Sequence, residues 1–124
     1  MKKFILSVFI VCITNSAHSE SMYELAQAHC KKAETVAYTA QTYRQLGMQP
    51  SAATEKLMTV TANIIDPKLK EDNEKLIFFV VQDAYTVLVA PTKELKKTYI
   101  LDFAERHYLT CLNSFQKAID KSNK

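Results

Sequence analysis

The chain has 124 residues with 16 basic and 13 acidic side chains, a formal net charge of +3, three cysteines and no tryptophan. That length supports one small domain, and one glycine and three prolines are too few for the turns of a many-stranded sandwich or barrel. At 48% hydrophobic and 23% charged, the composition excludes a disordered chain and a membrane bundle and leaves a mostly helical domain as the expectation.

Residues 1–19 read as an address. Lys2 and Lys3 precede an apolar run from Phe4 to Ile13, and the small polar stretch Thr14-Asn15-Ser16-Ala17-His18-Ser19 follows. A charged start, about ten apolar residues and small residues at the end make a secretory signal peptide, with cleavage expected after Ser19. A retained anchor needs roughly 20 apolar residues, about twice this run. A lipid-modified Cys12 is disfavoured by Val11, which stands where lipoprotein processing needs a small residue. Removing the leader takes two lysines and leaves 14 of the 16 basic residues against all 13 acidic ones. With so little net charge and no basic stripe, no nucleic-acid partner is expected, nor stable membrane insertion after cleavage.

A first helix is expected over 22–46. Met22, Ala26, Cys30, Ala33, Val36, Ala37, Ala40 and Tyr43 recur at three- and four-residue steps, with Lys31, Lys32, Glu34, Gln41 and Thr42 on other faces. The alanines allow close approach, so this helix is placed centrally. Gly47 is suited to a left-handed C-cap, and Pro50 blocks continuation. A second helix is expected over 51–65, capped by Ser51 and presenting Ala53, Leu57, Val60, Ala62 and Ile64, with Met58 and Ile65 at the edges. Asp66-Pro67 ends it and can start another segment, aspartate as cap and proline at the first helical position. The charged stretch 68–75 is expected to be a frayed turn or short helix.

The third helix is expected over 74–89. Leu76-Ile77-Phe78-Phe79-Val80-Val81 has strand propensity, but no other run could pair with it and its backbone groups would go unsatisfied. Leu76, Ile77, Val80, Val81, Ala84, Val87 and Leu88 also follow helical spacing. After Ala90-Pro91, Thr92 caps a fourth helix over 92–119. Ile100, Phe103, Ala104, His107, Cys111, Ser114, Phe115 and Ala118 form its inner face, widened by Tyr108, Leu112 and Ile119. Residues 120–124 make a loose tail. The expectation is an all-α, four-helix bundle-like single domain over 20–124.

Cys12 leaves with the leader, so Cys30 and Cys111 remain. An even pair in an oxidising compartment reads as a disulfide, here between the first and last helices, since each cysteine lies on the apolar stripe of its own helix. Closing a loop of about 80 residues is worth roughly 4 kcal/mol. A zinc set of His29, Cys30, His107 and Cys111 is disfavoured, because adjacent helical residues point about 100° apart and the C-x2-C spacing of zinc modules is missing.

These elements carry a resemblance. Cys30, Arg44-Gln45-Leu46-Gly47, Ala84-Tyr85 with Pro91, and Tyr108-Leu109-Thr110-Cys111 resemble the pattern of a group of small secreted proteobacterial helical proteins with two cysteines. The resemblance spans about 80 residues. It implies export, one disulfide and a helical fold, and it implies no activity.

No catalytic residue, metal ligand or cofactor is assigned. His107, near Asp102, Glu105 and Arg106, suits a core histidine better than an acid–base site, and Ser114 has no triad context. One glycine cannot build a phosphate-cradling loop. Arg44 should lay its stem along the apolar stripe, pairing with Asp83 or bonding helix-end carbonyls. Arg44 and Tyr38 (off the main stripe) are the candidate binding-surface residues, since arginine and tyrosine suit interfaces. The leading functional expectation is a non-enzymatic periplasmic or secreted protein acting on an unknown protein partner, inhibitor- or immunity-like. A periplasmic stress chaperone and a small apolar-ligand carrier are the alternatives.

Overall fold

Alanine decides the centre of the molecule. In the computed structural model, which describes residues 21–123, helix α1 (Met22–Gln45) buries Ala26, Cys30, Ala33, Ala37 and Ala40 along one side. These side chains are short, so two other helices reach its backbone closely. Met22, expected on the stripe, is exposed. The predicted leader, 1–19, lies outside the described residues. The end of α1 is built as expected: Gly47 adopts φ +83°, Met48 N–H donates to Tyr43 O and Gly47 N–H to Arg44 O, each at 3.0 Å. That is a Schellman cap, which needs the left-handed conformation glycine adopts without strain.

The second helix corrects the expectation of one unit over 51–65. Helix α2 covers Pro50–Met58 and gives way to a 3-10 helix, Thr59–Asn63. Gln49, not Ser51, stands at the cap position, because Pro50 has no N–H to satisfy and its fixed φ suits the first turn. The α-helix stops where Thr59 Oγ1 donates to Lys56 O at 2.6 Å and Thr61 Oγ1 to Met58 O at 2.7 Å. Such hydroxyls compete with the i−4 backbone ladder, and β-branched side chains crowd it. Val60, Ala62 and Ile65, expected on the apolar side, consequently face water.

Helix α3 runs Pro67–Ala84, earlier at both ends than the expected 74–89. Asp66 accepts from the backbone N–H of Lys68 and Leu69 at 2.9 and 3.4 Å. The charged stretch is fully helical, laced by the i,i+4 pairs Lys68–Asp72 and Glu71–Lys75. The C-terminal end is set from outside: α1 side chains take carbonyl oxygens of the 84–88 segment, so the ladder does not continue to 89. Helix α4 covers Lys93–Ser122, with Thr92 Oγ1 accepting from Leu95 N–H at 3.1 Å. Residues 120–122, expected as loose tail, belong to it.

The fold is an all-α bundle of four helices. Helix α3 runs parallel to α1, while α2 and α4 run antiparallel to it. Helices α3 and α4 both pack on α1; their backbones stay apart and are bridged by side chains, Asp83 to His107 among them. The main core joins Ala37 and Ala40 of α1 to Leu57, Ile77, Val80, Val81, Ala84 and Phe103. At the far end α4 turns Leu112, Phe115 and Ile119 toward Tyr23 and Ala26. Ser114 and Ala118, expected inside, are exposed. The Cys30–Cys111 disulfide, spanning 81 positions, ties α1 to α4. Among the described residues, no helix is long and apolar enough to cross a membrane.

Candidate functional site

The densest polar structure lies where α1 meets the α3–α4 connection. Gln41 and Gln45 are almost wholly buried, although Gln41 was expected on another face. They continue the buried line of Ala33 and Ala37 in steps of four, a spacing that could have exposed them in the sequence. Gln41 Nε2 donates to Ala84 O at 3.3 Å. Gln45 Nε2 donates to Gln41 Oε1 and to Leu88 O, and Gln45 Oε1 accepts from Ala90 N–H, at 2.8, 2.9 and 2.8 Å. Each amide takes the place of a backbone partner, so the connection is stitched to α1 without a strand.

Arg44 belongs to the same assembly. Its Nε donates to Val87 O at 2.9 Å, its guanidinium lies 5.1 Å from the centre of the Tyr85 ring, and the Tyr85 hydroxyl donates to Met48 O. Burial pushes the Tyr85 phenol pKa up, with the nearby Arg44 charge opposing that shift. Of the two expected roles for Arg44, the structure shows carbonyl bonding and not pairing with Asp83. Tyr38 is exposed, but six residues separate it from Arg44, about 120° around the helix. The two therefore do not form one surface.

Asp83 is engaged by α4 instead. His107 Nε2–H donates to Asp83 Oδ2 at 2.7 Å, since the ionised carboxylate can only accept. The His107 ring lies 4.5 Å from Phe103 and 5.9 Å from Phe79, centre to centre, and the Arg106 guanidinium lies 5.4 Å from the Phe103 ring centre. Phe79, His107, Phe103 and Arg106 thus form a continuous row from α3 to α4. Phe78 and Phe79 are 54% and 61% exposed. Both fall off the apolar stripe of α3 at helical spacing, which is the signal that they face outward. Ser114 donates to Thr110 O and lies two turns beyond His107, about 10 Å along the axis, so the imidazole does not serve it.

The residues of the conceivable zinc set are engaged elsewhere: the cysteines in their disulfide, His107 with Asp83, and His29 edge-on to Phe115 at 5.4 Å. Among the described residues, no group of three or more His, Cys, Asp or Glu side chains could hold a metal ion.

Fold and side chains together define a disulfide-stapled helical bundle in which exposed Phe79 and Arg106 flank the buried rings of His107 and Phe103. Comparison with protein-family models, with curated proteins and with solved structures finds no match for this chain.

Proposed function

We propose that the chain is exported, loses residues 1–19, and works in the periplasm or outside the cell as a non-enzymatic protein that binds another protein, in the manner of an inhibitor or immunity protein. The observation that carries this reading is exposed Phe79 and Arg106, set on the buried rings of His107 and Phe103. Aromatic side chains and arginine supply most of the binding energy at protein interfaces, and a phenylalanine 61% exposed is a costly surface to leave in water. The row is held rigid from below: His107 is buried between two rings and hydrogen-bonded to Asp83. A preorganised surface loses less freedom on binding. The disulfide supports export, because such bonds persist in oxidising compartments.

The test is affinity capture from the host's periplasm with wild type, F79S and R106E side by side. A partner retained by wild type and reduced at least tenfold by both variants, with helicity unchanged, is the expected result. Identical recovery by all three proteins refutes the reading.

A further inference from the structure

A different face of the molecule carries a second inference. Helix α1 has 24 residues and α2 only nine, so α2 covers about 14 Å of a neighbour about 36 Å long. The 3-10 segment that follows leaves one corner of the bundle unfilled. A cleft of about 180 Å³ opens there onto the core, walled by Val36, Tyr43, Leu57, Val60, Ile64 and Ile77.

Three threonines also line it, but their hydroxyls are turned to their own helices: Thr35 donates to Lys31 O, Thr39 to Thr35 O and Thr61 to Met58 O. Asn73 Nδ2 likewise donates to Leu69 O. These four donors are therefore engaged within their own helices, and the rest of the wall is mostly carbon. The charge at the cleft has one sign. Lys56 lines it, no acidic residue does, and its ammonium lies 5.7 Å from the centre of the Tyr43 ring. Among the described residues Lys56 makes no salt bridge.

We propose that this cleft is a binding site for a monocarboxylate with an apolar tail, the tail against Leu57 and Ile77 and the carboxylate at Lys56. The size fits: an apolar cavity of about 150 Å³ accepts benzene, and this one is open at the mouth, so a short acyl chain enters while its head stays wet. Lys56 supplies the only charge recognition, and Val60, 73% exposed, forms the lip. The site is separate from the aromatic row, since Ile77 and Phe79 lie about 160° apart around α3. Its occupancy and partner capture by that row succeed or fail independently.

Octanoate and 1-octanol are the probes, titrated into the leaderless, oxidised protein by calorimetry and by amide and methyl NMR. Octanoate is expected to saturate with a Kd of about 0.1–1 mM, the range suited to a ligand of some ten heavy atoms. Shifts should centre on Val36, Thr39, Leu57, Val60 and Ile77. K56E and V60D, both at exposed positions that the fold tolerates, should weaken octanoate at least fivefold, and K56E should leave 1-octanol within twofold. No saturation by 10 mM overturns the proposal. So do shifts centred on Phe78 and Phe79, or equal loss of both probes in K56E.

Discussion

Gln45 shows how single side chains close this bundle. Its amide satisfies Leu88 O, Gln41 Oε1 and Ala90 N–H at once, and among the described residues no buried side-chain polar atom is left without a partner. Leaving one such group unpaired costs about 1–3 kcal/mol, which explains why glutamine sits among alanines. Tyr85 closes the same assembly from the other side, and it yields a pH prediction. Its phenol pKa is raised from the ordinary 10.0 chiefly by burial, so the folded chain holds that proton more tightly than the unfolded chain. The stability this contributes is intact below the unfolded value and is lost as pH rises through the folded one. Y85F also removes the bond to Met48 O, worth about 1 kcal/mol. Urea unfolding from pH 7 to pH 11 should find Y85F less stable than wild type at pH 7, with the gap narrowing above pH 10. A constant gap across that range would show that Tyr85 titrates alike in both states.

Among the elements, caps and termini matter most. Among the described residues Gly47 is the one position with positive φ, and a Cβ built there meets nothing within 4 Å. G47A should therefore cost only the conformational penalty of a left-handed alanine, about 1 kcal/mol, seen as a lower urea midpoint with unchanged m-value. A larger loss would mean that the turn carries contacts the free space around Gly47 does not reveal. Helices α2 and α3 show opposite outcomes of local competition. Threonine hydroxyls end α2 early, whereas the Asp66 cap and a ladder of i,i+4 ion pairs carry α3 through residues that looked too charged to be ordered.

Across the whole molecule, the disulfide joins the first helix to the last across 81 positions, a closure that restricts the unfolded chain by about 4 kcal/mol. For a domain this small, that is comparable to its entire net stability. The double variant C30S/C111S should lose most of its urea resistance at pH 7, and protein taken from its native compartment should show no free thiol on alkylation under denaturing, non-reducing conditions. Two alkylated cysteines there would defeat the export proposal. Much of this architecture was readable beforehand. The alanine stripe, Gly47, the Asp66-Pro67 and Thr92 starts, and the inward placing of Cys30 and Cys111 are local or periodic signals, and helical periodicity survives in a linear string. Other features depend on which groups meet in space. Asp83 pairs with His107 rather than Arg44 because α4 brings an imidazole to it, and α3 ends at Ala84 because Gln41, Gln45 and Arg44 of another helix claim the carbonyls of the segment that follows. The cleft exists because α2 is shorter than its neighbours. Sequence alone determined the helices and their staple, since backbone propensity and apolar spacing act over a few residues; only the tertiary structure decided the polar partners, the aromatic row between α3 and α4 and the unfilled corner, since these arise from contacts across 24 to 45 positions of chain.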